Sequence, residues 1–169
     1  DVPDRRLAAF TREVDELGLQ ARPSPWRRTT MACTGIEFCK LAIVETKERA
    51  IRLVEELEKR LIDVHPDPPV SIHLNGCPNA CARTQVADIG LKGQIVTDGN
   101  GHQVEGFQVH LGGGLGLDSG FGRKVRGLKV TSGELGDYVE RVVRRYAEQR
   151  AGDERFAQWV RRASEDDLT

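Results

Sequence analysis

Val70-Ser71-Ile72-His73-Leu74-Asn75-Gly76-Cys77-Pro78-Asn79-Ala80-Cys81 is the stretch whose reading decides the fold. Its first five residues alternate apolar and polar, the period-two signature of a strand. Gly76 follows, a residue that permits backbone geometry others resist. The chain then enters a C-x3-C turn, where Pro78 suits the first position of a short helical turn carrying Cys81. A strand that empties directly into two cysteines predicts a ligand site at a strand end.

Upstream, Cys33-Thr34-Gly35-Ile36-Glu37-Phe38-Cys39 is a C-x5-C, and these two pairs hold all four cysteines of the chain. Thiolates select zinc, copper(I) or iron–sulfur centres. Structural zinc sites favour gaps of two to four residues, and small ferredoxins run their cysteines close together in one segment. The five-residue gap fits neither pattern. Cysteines merely packed in a core would not be confined to two glycine-flanked turns. Two disulfides would require a secreted chain, and no secretory apolar segment is visible.

Lys40 to Leu61 reads as a helix with an apolar stripe of Leu41, Val44, Ile51, Val54, Leu57 and Leu61. Its N-terminus would fall at Cys39, where free amides and the positive end of the dipole favour an anionic centre. Residues 4–17 read as an earlier helix closed by Gly18, and Ala21 to Pro25 as a linker. Val86 to Lys92, the alternation Phe107, Val109, Leu111, and Val125 to Val130 read as strands, with Asp98-Gly99-Asn100-Gly101 as a hairpin tip. Thr131-Ser132-Gly133-Glu134 has the form of a capping box. The following helix carries Leu135, Tyr138, Val139, Val142, Val143 and Tyr146 on one face. Gly152 breaks it, and a last helix places Phe156, Trp159 and Val160 on one side. The fold class is α+β: a mixed sheet flanked by helices, with the cysteine loops at strand and helix ends.

The chain has 169 residues and a net charge of -1, enough for about one domain and without a pull toward nucleic acid or membrane. No apolar run reaches membrane-spanning length. A cytoplasmic setting is expected.

The words around the cysteines carry a resemblance. Thr30-Met31-Ala32-Cys33 through Cys39-Lys40-Leu41-Ala42, with Glu45-Thr46-Lys47 beyond, resembles the first cluster motif of the sirohaem-dependent nitrite and sulfite reductases. His73-Leu74-Asn75-Gly76-Cys77 through Cys81-Ala82-Arg83, on to Val86-Ala87-Asp88-Ile89-Gly90, resembles the second. Gly106-Phe107-Gln108-Val109 and Phe121-Gly122-Arg123-Lys124 extend the likeness, which runs from about residue 25 to the end and is greatest to the assimilatory ferredoxin-dependent sulfite reductases. The resemblance implies a [4Fe–4S] cluster on Cys33, Cys39, Cys77 and Cys81, with Cys81 also bridging to the iron of a sirohaem. It implies that Asn79 and Arg83 lie beside that macrocycle and that Thr34, Gly35 and Asn75 line its pocket. The family often has threonine where this chain has Asn75. It implies six-electron reduction of sulfite to sulfide with ferredoxin as donor; nitrite reduction to ammonia uses the same cofactors. Family members are several times longer, and this chain begins at Asp1 without an initiator Met. It is therefore expected to be the C-terminal part of an enzyme whose preceding half supplies the cations that bind the anion. Residues 1–28 would trail from that half, and 29–169 would be the iron–sulfur and sirohaem domain. A zinc-stabilised interaction domain and a stand-alone electron carrier are the competing readings.

Other features carry less. His73, alone on its strand, reads as structural, with a ligand or proton-donor role as the alternative. Leu111-Gly112-Gly113-Gly114-Leu115-Gly116 lacks the lysine of a phosphate loop and reads as a tight loop approaching the macrocycle or a partner domain. Arg123, Lys124, Arg126 and Lys129, with no acid between Asp118 and Glu134, read as a solvated face or as a contact for sirohaem carboxylates or an acidic ferredoxin. Arg141, Arg144 and Arg145 read as solvated.

Overall fold

A computed structural model describes residues 1–116 and 120–169; Asp118, which bounds the basic run, lies outside them. Five strands lie side by side in chain order: β1 (Thr30–Ala32), β2 (Ile72–Asn75), β3 (Ile89–Thr97), β4 (Gln103–Leu111) and β5 (Arg123–Thr131). β1, β2 and β3 are mutually parallel, and β4 and β5 continue antiparallel. The helices are α1 (Asp4–Glu16), α2 (Pro25–Thr29), α3 (Lys47–Arg60), α4 (Leu135–Gln149), α5 (Phe156–Arg162) and α6 (Glu165–Leu168). The α+β expectation holds.

Ile72 and Leu74, Ile89 and Leu91, and Phe107, Val109 and Leu111 form one buried cluster with Leu53, Val54 and Leu57 of α3 and Val139, Val142 and Val143 of α4. The period-two and 3.6-residue patterns thus converge on a single core. Tyr146, Phe156 and Trp159 close its far end as an aromatic trio with centroids 5.2 to 5.7 Å apart.

Several elements differ from the sequence reading. Helix α3 begins at Lys47, not Lys40. Ile43 and Val44 instead hydrogen-bond to Gly76 at the second cysteine loop, and Leu41 (65% exposed) and Ile51 (54%) leave the expected stripe. Ala50 and Leu53 take their places on the buried face. The expected linker Ala21 to Pro25 leads at its last residue into α2, capped by Ser24. Its Trp26 is buried in the core, and Ser24 and Arg27 both bond to Glu58. Strand β3 starts three residues later than expected, because Thr84–Val86 forms a 3-10 turn. Thr131 and Glu134 make the reciprocal bonds of a capping box, but in the turn before α4, whose own N-cap is Glu134. Arg144 is not simply solvated: it bridges Asp63 and Glu140 and donates to the Arg60 carbonyl at 2.5 Å. Arg141 donates to the Thr169 carbonyl and Arg145 to that of Asp166. These contacts tie α4 to the end of α3 and to the C-terminus, and exposed pairs of this kind contribute little each.

Candidate metal centre

Parallel pairing of β1 and β2 places their C-terminal ends at the same edge of the sheet, and each end opens into a cysteine loop. Ala32 pairs with Leu74, so Cys33 leaves β1 as Asn75 closes β2. The Cys33 amide donates to the Leu74 carbonyl at 2.9 Å. Gly76 joins the two loops. Its N–H donates to Cys33 Sγ at 3.1 Å, and its carbonyl accepts from Ile43 and Val44 at 2.7 and 3.2 Å. A Cβ at Gly76 would stand 3.0 Å from both the Ala42 Cβ and the Val44 carbonyl oxygen, so a side chain would wedge the loops apart.

Within the first loop, the Cys39 amide bonds to the Gly35 carbonyl at 3.0 Å. Gly35 has φ of +77°, and a Cβ there would lie 2.5 Å from Thr46 Oγ1. Thr46 is fully buried; its hydroxyl donates to the Cys33 carbonyl at 2.8 Å and lies 3.8 Å from Cys33 Sγ. The sequence reading quoted Thr46 without assigning it a role. The helix expected from Lys40 ran through this position, so the periodicity did not mark it. The expected placement of a helix terminus at Cys39 is corrected: α3 starts eight residues further on, beside Cys33. Its free amides are also occupied, because the Glu45 carboxylate accepts from Glu48 and Arg49 at 3.2 and 2.8 Å.

Burial by itself would raise the Glu45 pKa, but the backbone donors at the start of α3 outweigh it and hold the carboxyl below its ordinary value. A depressed folded-state pKa stabilises above the unfolded value and ceases to do so as pH falls through the folded one. Glu45→Gln should therefore flatten the acid limb of a pH–Tm curve below about pH 4.5. An acid limb identical to that of the unsubstituted protein would show that the cap contributes nothing.

The second loop folds back over the sheet. Its turns are not helical at Cys81, contrary to the expectation from Pro78: Ala80 and Arg83 adopt left-handed φ values of 57° and 54°. From there the chain crosses the face of the sheet opposite the helices. The Ala82 amide donates to Asn75 Oδ1 at 2.6 Å, and the Arg83 carbonyl meets His73 Nδ1 at 3.2 Å, giving His73 the structural part expected of it. The crossing is possible only over glycines. A Cβ at Gly90 would overlap the Thr84 carbonyl, and one at Gly113 would stand 2.5 Å from the Gln85 oxygen. The glycine-rich loop therefore contacts this crossing segment.

None of the four cysteines is in a disulfide; Cys77 is buried, Cys33 and Cys39 are partly buried and Cys81 is exposed. Thr34, Asn79 and Arg83 are exposed and Gly35 is buried. Arg123, Lys124, Arg126 and Lys129 are exposed along β5, the far edge strand of the sheet. Among the described residues, no three Cys, His, Asp or Glu side chains gather as one metal ion requires. Four soft donors on two loops at one edge, an amide aimed at a sulfur, and the buried Asn75 Nδ2 without a partner all suit a sulfur-rich anionic centre. A cavity of about 310 Å³ lined by Ser71, His73, Asp88 and Gly113 lies toward the opposite ends of β2 and β3. The Asp88 carboxylate there is already engaged by the Ser71 amide and hydroxyl.

Comparison with known proteins shows an iron–sulfur domain. Residues 25–168 match the family described as the nitrite and sulphite reductase 4Fe-4S domain. A sulfite reductase [ferredoxin] of Mycobacterium tuberculosis is 62% identical over 170 residues, covering 99% of this chain and 31% of that protein. A ferredoxin–nitrite reductase of Synechococcus elongatus is 42% identical over 123 residues, covering 73% of this chain and 23% of that protein. The solved structure of the Mycobacterium tuberculosis NirA protein superposes with a TM-score of 0.94 at 61% identity, across all of this chain and 31% of that one. The chain thus spans about a third of the length of the sulfite reductases it matches. No helix among the described residues is long and apolar enough to cross a membrane. By its motifs, its fold and these likenesses, the chain belongs to the nitrite and sulphite reductase 4Fe-4S domain family.

Proposed function

We propose that this chain is the cluster-bearing part of a ferredoxin-dependent sulfite reductase that converts sulfite to sulfide, working in the cytoplasm with the rest of the enzyme and with ferredoxin as partners. The observation that carries the reading is the joint at Gly76, where one residue bonds to both cysteine loops at the ends of two parallel strands. Higher identity to the sulfite reductase than to the nitrite reductase favours sulfite over nitrite.

Cys33, Cys39, Cys77 and Cys81 are assigned as the cluster ligands, and Cys81, the most accessible of them, as the bridge to sirohaem. When bound, the coupled cofactors supply the electron path to the anion. Thr34, Gly35, Asn75, Asn79 and Arg83 are assigned to the surroundings of the cofactors. Residues 1–28 are assigned to the approach from the rest of the enzyme, with α1 burying none of its residues and α2 anchoring the segment to the core through Trp26. The Arg83 backbone is held by His73, and its exposed guanidinium has no partner among the described residues. A planar fork of this kind is suited to carboxylates.

Arg83→Ala should lower sirohaem occupancy of the complete enzyme about tenfold, the lower end of what outer contacts contribute at metal sites, while iron–sulfur absorption stays. Wild-type sirohaem content would remove Arg83 from the site. The reading as a whole is tested by anaerobic absorption spectroscopy and sulfide production with reduced ferredoxin. A Soret band with chlorin-type bands and sulfide as product are expected; a colourless protein without iron would overturn it.

A further inference from the structure

Asn75 is 1% exposed and closes β2 two residues before Cys77. Its side-chain orientation is fixed, because Oδ1 accepts from the Ala82 amide at 2.6 Å. Nδ2 is then turned away from Ala82, buried and without an acceptor among the described residues. A buried donor left unmade costs about 1–3 kcal/mol, so its retention calls for an acceptor beyond the described residues of this chain. The amide is bracketed by the cysteines. Its neighbour Gly76 donates to Cys33 Sγ, Cys77 follows, and its bonded partner Ala82 adjoins Cys81. A side-chain amide holds the loop with its oxygen and presents N–H from its nitrogen.

We propose that Asn75 Nδ2 donates a hydrogen bond to a sulfur of the bound cluster, a sulfide or a ligating thiolate, and thereby raises its reduction potential. The proposal rests on the cluster reading above. Hydrogen bonds to sulfur stabilise the more negative, reduced state and are a main lever on iron–sulfur potentials. The Gly76 amide supplies one such bond from the backbone, and Asn75 adds one from a side chain on the same strand end.

The test uses the complete enzyme with Asn75→Leu, which removes donor and acceptor, and Asn75→Asp, which keeps the acceptor for Ala82 and removes the N–H. Iron, acid-labile sulfide and the EPR-monitored midpoint potential are measured for each. Both variants should keep their iron and sulfide and show a lower midpoint, with at least a tenfold smaller reduced-to-oxidised ratio at fixed potential, or 59 mV for one electron. An unchanged midpoint in either cluster-bearing variant overturns the proposal. Loss of iron from both does so too, by making Asn75 a support for the turn alone. Iron absent from the unsubstituted enzyme would instead be the failure of the cluster reading.

Discussion

Cys81→Ser is expected to take sulfite reduction by the complete enzyme to background and to strip it of sirohaem, while leaving the cofactor-free fold nearly as stable as before. Two arguments combine. A serine hydroxyl is a hard, protonated donor in place of a soft thiolate, so a position that must bind iron loses its function outright. The same position is exposed, and its turn is held by neighbours, through Ala82 to Asn75 and Arg83 to His73. Substitution of an exposed side chain away from such contacts usually changes stability by no more than about 0.5 kcal/mol. Activity and melting temperature should therefore separate. Measurement of sulfide formation, sirohaem absorption and Tm on one preparation checks this, and retained activity would end the bridging assignment.

Gly90→Ala is the largest effect expected away from the cysteines. Gly90 pairs with His73 in the sheet and lies directly beneath the Thr84 backbone. The added methyl overlaps the Thr84 carbonyl oxygen, and the Thr84 carbon and Cα stand close behind it at 2.8 and 3.2 Å. No side chain can rotate to give room, so the crossing segment must lift. Lifting it pulls on the bonds from Ala82 to Asn75 and from Arg83 to His73 that seat the second cysteine loop. A cost on the order of 3 kcal/mol is expected, at the upper end for overpacking. For a chain of this size that corresponds to a fall in Tm of roughly 6–12 °C, with reduced cofactor retention. Gly99→Ala, at a hairpin tip with open space around it, is the control. A Gly90→Ala protein melting with the control would mean that the crossing segment does not press on the sheet.

Much of this arrangement was legible beforehand. The alternation from Val70 to Leu74 and the face Leu135 to Tyr146 belong to regular elements buried on one side, and such patterns survive translation into structure. The errors share a cause. Residues 40–46 look helical because Leu41 and Val44 continue the spacing of α3, yet Ile43 and Val44 bond to Gly76, 32 or more residues away in the chain. A tertiary bond of that kind overrides local periodicity and leaves no mark in it. β1 has three residues and exists because β2 lies beside it. The left-handed Ala80 and Arg83 follow from a loop drawn back across the sheet, which composition cannot show. The cysteines were plain as a set, whereas Thr46, Gly90 and the free amide of Asn75 acquire meaning only once the loops are brought together.

The order of the strands bears on which changes of length this protein can inherit. Because the sheet is laid down in chain order, an extra residue in the tip at 98–102 stays within that tip and disturbs no pairing between β1, β2 and β3. One inserted between Thr30 and Cys33, or between Ile72 and Gly76, would slide one loop past the other by about 3.3 Å and turn alternate side chains to the wrong face. The protein can therefore vary freely in length at its hairpin tip and hardly at all along two short strands, whatever residues those strands contain.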